Sequence, residues 1–165
     1  LEAPIKPDIK KSPRLQFLDT GLINHDLKIQ AQLLAFQDLN TAYKGAIIPH
    51  MITQELISLN AINNQKPHFW VREKAQATSE IDLVLQHQEI MIPIEIKSGA
   101  TGSLKSLHEF IERTNHHYAI RMYAGNFTIE EQHTPKQNKP YKLMNIPYYL
   151  GTKLPEYIDY FIKNY

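Results

Sequence analysis

Apolar positions along this chain recur at two spacings, and the switch between them lays out the elements. Ile48, Met51, Ile52, Leu56, Leu59 and Ile62 fall three or four residues apart, so Gly45 to Ile62 reads as an amphipathic helix with Pro49 tolerated near its start. Glu55 lies inside that stripe, which aims a carboxylate at the core side, where it needs a partner or a task. Further on the pattern becomes that of strands: Phe69–Arg72, Ile81–Gln86 and Ile90–Lys97, the last two joined as a hairpin through His87-Gln88-Glu89. Gly99–Gly102 breaks the chain, and a helix is predicted from Ser103 to Thr114 with Leu104, Leu107, Phe110 and Ile111 on one face. Tyr118–Tyr123 reads as a buried strand, Gly125–Lys139 as a polar loop, Tyr141–Leu150 as a last strand and Leu154–Tyr165 as a terminal helix. Upstream, Pro4, Pro7 and Pro13 mark an extended basic stretch. Arg14–Leu18 follows as a short strand, Asp19-Thr20-Gly21 as a turn, and Leu22–Leu39 as a helix capped by Asn24 or Asp26. The central order is helix, three strands, helix, strand.

Composition narrows the class. At 165 residues, 42% hydrophobic and 21% charged, the chain suits one soluble globular domain. A formal net charge of +1 gives no global field to draw nucleic acid or an anionic membrane, so any DNA contact must rest on a local patch. The absence of cysteine excludes disulfides and thiolate metal sites. No apolar run is long enough to cross a bilayer and no signal-peptide pattern opens the chain, which fits a cytoplasmic location. The chain begins at Leu1, not Met, as a fragment of a larger protein would. Residues 1–13 are accordingly expected to be an extended linker, and 14–165 a single domain.

The candidate chemistry lies in the predicted hairpin. Alternate side chains of a strand share a face, which groups Asp82 with Val84 and Gln86, and sets Ile81, Leu83 and Leu85 opposite. By the same rule Glu95 and Lys97 share a face. If the hairpin pairs as drawn, Asp82 and Glu95 converge at one sheet end, and two close carboxylates repel unless a cation lies between them or one takes a proton. A hard divalent ion with oxygen ligands resolves that conflict, and Lys97 can then position a water or stabilise charge on a phosphate. Glu55, on the neighbouring helix, is a further ligand or an orienter of Lys97. The competing reading is a solvated surface ion pair, because D…ExK arises easily by accident; its embedding in Ile-Asp-Leu-Val-Leu and Ile-Pro-Ile-Glu-Ile-Lys argues against that. Arg72, Lys105 and Arg121 are candidate phosphate contacts, with a structural ion pair the alternative for Arg72 and Arg121. The adjacent His116-His117 have no zinc-site spacing, and Tyr157, Tyr160 and Tyr165 have the near-helical spacing of packing residues.

Ser79–Val84 followed by Ile92–Gly99 resembles the core of the PD-(D/E)XK nuclease superfamily. Phe17–Leu22, Gln54-Glu55-Leu56, Phe69–Arg72 and Gly102–Leu107 add a narrower resemblance, to the C-terminal domain of unknown function of prokaryotic AAA-type ATPases, and the match runs from Pro13 to Leu150. The resemblance implies an α/β, restriction-endonuclease-like core, with a central mixed four- to five-stranded sheet flanked by helices. It also implies an upstream ATPase module, although no G-x-x-x-x-G-K-[ST] loop occurs here. By the same resemblance Asp82, Glu95 and the Ile96 carbonyl would hold Mg2+ or Mn2+, with Glu55, Asp82, Glu95 and Lys97 catalytic. Relatives usually carry a Phe-Glu-Asn-like step early in the helix, where this chain has Ile48-Pro49-His50. Two functions are therefore expected: a magnesium-dependent DNA endonuclease domain attached to an ATPase, or an inactive module of that fold that binds nucleic acid or a protein partner and regulates the ATPase. A plain structural or dimerisation domain is the third, weaker reading.

Overall fold

In the computed structural model, residues 1–17, 19–26, 47–59, 67–74, 77–97, 99 and 102–165 are described. The apolar runs in the middle of the chain build a sheet of β1 (His68–Lys74), β2 (Ala77–His87), β3 (Ile90–Ile96), β4 (Tyr118–Tyr123), β5 (Thr128–His133) and β6 (Pro140–Pro147). Strand order is β1-β2-β3-β4-β6-β5. The β1–β2, β2–β3 and β5–β6 pairs are antiparallel and the β3–β4 and β4–β6 pairs parallel, which makes the sheet mixed. The described helices are α1 (Thr20–Asp26), α2 (Ile47–Ser58), α3 (Lys105–Ile111) and α4 (Leu154–Asn164), with a 3-10 segment at Tyr148–Lys153.

Both faces of the sheet are covered. Leu83, Leu85, Ile92, Ile94, Ile96, Ile120, Met122, Met144 and Ile146 pack with Ile48, Ile52 and Leu56 of α2 and with Leu154, Ile158 and Phe161 of α4. On the other face Ile81, Val84, Met91, Ala119 and Leu143 meet Leu107, Phe110 and Ile111 of α3, and the Trp70 ring stands edge-on to Phe110 at 5.4 Å. Pro93 is tolerated inside β3 for a reason of direction. The Ile96 N–H points towards β2 and the Lys97 N–H towards β4, so Pro93 would also face β4, one residue before pairing with β4 begins at Ile94.

The structure departs from the sequence expectations at five places. The sheet has six strands, not four or five, because Thr128–His133, expected within a loop, forms the edge strand β5. Its residues are half-exposed and polar, as an edge strand tolerates. Arg14–Phe17 forms no strand, and Leu18 lies outside the described residues. α1 starts at Thr20, where Asp19 Oδ1 accepts the Gly21 N–H at 2.7 Å, so Asn24 and Asp26 are inside it and not at its cap; the rest of the expected helix, from 27 to 39, is outside the described residues. α2 buries Ile47, Ile48, Ile52, Thr53 and Leu56. Met51, Glu55 and Leu59, spaced by four, form a separate outward row, so Glu55 is exposed and does not face the core. Residues 45, 46 and 60–62 of that expected helix are outside the described residues. The fifth departure is the facing of Ile81, which belongs with the site.

Two outcomes test this packing. Leu56→Ala, at a fully buried position, is expected to cost about 2–5 kcal/mol in urea unfolding, whereas Glu55→Ala should stay within about 0.5 kcal/mol. His116 is buried, with Nε2 2.8 Å from the Met91 carbonyl oxygen and Nδ1 accepting the Tyr118 N–H. Burial pushes its pKa down to about 4, from 6.5. Between those values the unfolded chain binds the extra proton, so stability should be fully present above 6.5 and fall as pH drops towards 4, by on the order of 2 kcal/mol. Urea midpoints of wild type and His116→Asn across that range measure it, and a variant with the same pH slope would remove His116 as the cause.

Candidate functional site

β1 and β2 fall out of step beside Asp82. His68 pairs with Val84, but Trp70, only two residues on, pairs with Ile81, so β2 carries one extra residue at Asp82-Leu83. Such a bulge re-aims side chains. It turns Ile81 to the α3 face with Val84, while Leu83 and Leu85 stay on the α2 face, which corrects the simple alternation expected from the sequence.

The β2–β3 pairs end at Leu83↔Ile94, and one further step of the same register sets Asp82 opposite Glu95. There Asp82 Oδ2 accepts the Ile96 N–H at 2.8 Å, so a side chain finishes the ladder in place of a backbone carbonyl. Glu95 is 6% exposed; its Oε1 accepts from Lys97 Nζ, and its Oε2 is buried with no hydrogen-bond partner among the described residues. Burial raises the pKa of both carboxyls. The Ile96 N–H, Arg14 and Lys97 oppose this at Asp82; at Glu95 Lys97 and Arg14 oppose it, while the Asp82 charge adds to it.

Lys97 is held at its backbone by two contacts: its N–H donates to the Met122 carbonyl at 2.8 Å, and its own carbonyl accepts the Tyr148 hydroxyl. The chain then returns over its side chain at Gly102, where a Cβ would come within 2.8 Å of Lys97 Cδ. Arg14 is the residue that sequence reasoning missed. Its guanidinium pairs with Glu80, lies 4.4 Å over the Phe69 ring, and is within electrostatic reach of both Asp82 and Glu95.

The structure thus brings Asp82, Glu95 and Lys97 together with the Ile96 backbone. Glu55 is exposed, and its carboxylate takes no part in the hydrogen bonds and ion pairs at those residues. Arg72 is spent on a buried ion pair with Glu109, which Arg113 at 3.6 Å and Lys136 also reach. Lys105 is exposed at the first position of α3. Arg121 stands beside Glu95 in register, donates from Nε to Asn145 Oδ1 at 2.7 Å, and lies 4.5 Å over the Tyr123 ring. A cavity of about 390 Å³ opens elsewhere, by His116, His117, His133, Lys139 and Lys142, and contains none of the candidate site residues. Among the described residues no three His, Cys, Asp or Glu side chains cluster as a metal site would require, so the acidic pair is a two-carboxylate site. No described helix is long and apolar enough to cross a membrane. Tyr157 packs on Phe127 at 5.4 Å and Tyr160 on Tyr165 at 6.2 Å, which accounts for the C-terminal tyrosines as packing.

Fold and site together define an α/β domain whose mixed sheet carries a desolvated carboxylate pair and a lysine at the end of a hairpin. A family model described as a domain of unknown function (DUF4143) matches residues 44–149, more than half of the chain, and the chain belongs to that family. No curated protein and no solved structure matches it.

Arg72→Ala should act on stability. It removes one of three cations from the buried Glu109, so a loss of about 1–3 kcal/mol is expected in urea unfolding, while Lys105→Ala should change it by no more than about 0.5 kcal/mol.

Proposed function

We propose that this chain is a metal-dependent nuclease domain of the PD-(D/E)XK type, acting on DNA phosphodiesters, with Asp82, Glu95 and Lys97 as its working residues. One observation carries the reading: one step past the last β2–β3 pair sets Asp82 opposite Glu95, whose Oε1 is taken by Lys97 while the buried Oε2 has no hydrogen-bond partner among the described residues. The order α2, three strands, α3, β4 supports it. So does the bulge at Asp82, a common device beside reactive sites.

An unpartnered buried carboxylate oxygen is a fitting ligand for a hard cation, and a second carboxylate opposite it meets the one or two that magnesium usually takes from protein. Asp82, Glu95 and the Ile96 carbonyl would hold Mg2+ or Mn2+. Bound there, the ion would polarise a phosphate oxygen and acidify a water. Lys97 hydrogen-bonds Glu95 and has its carbon chain confined by Gly102, so its ammonium is restricted to the neighbourhood of the pair, where it can stabilise negative charge developing on phosphate. Arg121, on the adjacent strand, and the exposed Lys105 would contact flanking phosphates. In this reading the domain works in the cytoplasm as the nuclease part of an ATPase.

The second reading, an inactive module of this fold that binds nucleic acid or protein for the ATPase, draws on α2. That helix turns Glu55 outward and carries Pro49 where relatives carry an acid, and the next residue, His50, has its imidazole hydrogen-bonded to Gln16.

Incubating the protein with plasmid and single-stranded DNA, Mg2+ or Mn2+, with and without ATP, separates the two. The nuclease reading expects cleavage that Asp82→Ala lowers by at least about a hundredfold. Equal cleavage by both proteins, or none by either, would sink it. DNA retention in a filter-binding assay without cleavage would favour the inactive module.

A further inference from the structure

Four arginines occur in the chain, and all four are described. Three are paired with acids: Arg14 with Glu80, and Arg72 and Arg113 with Glu109. Arg121 is half-buried and makes no ion pair among the described residues, although an acid, Glu130, belongs to the same hydrogen-bonded row. Between the two stands Asn145, a fully buried amide.

The row crosses three strands on the sheet face that α3 covers, the face of Ala119 and Leu143. Register sets Arg121 of β4 beside Asn145 of β6, and Asn145 beside Thr128 of β5. Asn145 Oδ1 accepts Arg121 Nε–H at 2.7 Å, and its Nδ2 donates to Glu130 Oε1 at 2.7 Å and to Thr128 Oγ1 at 2.9 Å. Each end fixes the other: the amide must turn its donor to the carboxylate, which leaves its acceptor for the guanidinium. Glu130 is held in turn, with Thr128 Oγ1 donating to Oε1 at 2.9 Å and Gln132 Nε2 to Oε2 at 3.1 Å. From another side the guanidinium carbon lies 4.5 Å over the Tyr123 ring, whose hydroxyl is anchored on the Asn126 carbonyl at 2.8 Å. The two terminal nitrogens of Arg121 take no hydrogen bond among the described residues, and neither is a buried orphan, so both are open to water. A direct pair with Glu130 would close that fork. An amide placed between them sets its orientation and leaves it open, in a shape that two oxygens of one phosphate fit.

We propose that Asn145, braced by Glu130, is a positioning residue that holds Arg121 as the receptor for one backbone phosphate of a DNA strand. Register also puts Arg121 beside Glu95, so this phosphate would neighbour the one at the Asp82–Glu95 pair. The choice of DNA rests on the function proposed above; the bracket around Arg121 does not.

Glu130→Gln and Glu130→Ala have the same charge, but only glutamine keeps an acceptor for Asn145. Glu130 is half-exposed, so both variants should keep the fold. Binding of a short fluorescein-labelled DNA duplex, measured at low salt in EDTA so that nothing is cut, should be about fivefold weaker in Glu130→Ala than in Glu130→Gln. The Nε–H resonance of Arg121, assigned by its absence from Arg121→Lys, should exchange slowly with water in Glu130→Gln and broaden in Glu130→Ala. Equal affinities, or an unchanged resonance in Glu130→Ala, would overturn the positioning role. Arg121→Gln should lose about tenfold in affinity and lower the salt dependence by about one counter-ion, whereas Arg121→Lys should restore the salt dependence but not the affinity. Full recovery by lysine would overturn the fork, and no binding by wild type would overturn the receptor. DNA bound in this way by a protein that never cuts it with Mg2+ or Mn2+ would sink the nuclease reading and leave Arg121 as a phosphate receptor.

Discussion

Two carboxylates set across from one another at the end of β2 and β3, Glu95 buried and Asp82 half-buried, are the constraint around which this edge of the sheet is organised. Leaving a charge buried and uncompensated costs several kcal/mol, so the surroundings must supply positive charge or donors. The bulge aims Asp82 at the Ile96 N–H. Lys97 is fixed by Met122, Tyr148 and the bare backbone of Gly102, so that its ammonium meets Glu95. Arg14, ion-paired with Glu80, adds a more distant positive charge from the N-terminal stretch.

A second buried carboxylate shows what full compensation looks like. Glu109 on α3 is as buried as Glu95, at 5% against 6% exposure, yet Arg72, Arg113 and Lys136 converge on it, and neither oxygen is left without a partner. That is how a carboxylate is built to fasten β1, α3 and the β5–β6 turn. Glu95 keeps one oxygen unanswered. The difference separates an acid that only holds the fold from one that can take a further ligand.

Much of this was legible in the sequence where local pattern and tertiary structure agree. Ile-Pro-Ile-Glu-Ile-Lys and Ile-Asp-Leu-Val-Leu are apolar enough to be read as buried strands, and the short link His87-Gln88-Glu89 makes them a hairpin, so the meeting of Asp82 with Glu95 and Lys97 followed. β5 was not legible, because Thr-Ile-Glu-Glu-Gln-His on a sheet edge has the composition of a loop. The facing of Ile81 was hidden by the bulge, since one extra residue reverses the alternation with no signal of its own. Glu55 was misplaced because spacings of three and four merge two adjacent helix rows into one stripe; only the neighbours decide which row is buried. Arg14 had no local signal at all. It lies in a proline-rich stretch that reads as a linker, and its partners Phe69, Glu80 and Asp82 are distant in sequence.

The placement of Arg14 also bears on how a chain of net charge +1 would engage a polyanion. With no global field, attraction depends on cations near the site, and two of them are committed to carboxylates, Lys97 to Glu95 and Arg14 to Glu80. A phosphate approaching that arrangement meets a balanced cluster with little attraction. A divalent ion at the pair, were one bound as proposed, would alter this by adding two positive charges. Ion and phosphate would then bind cooperatively through the chain's own electrostatics, with no change of fold.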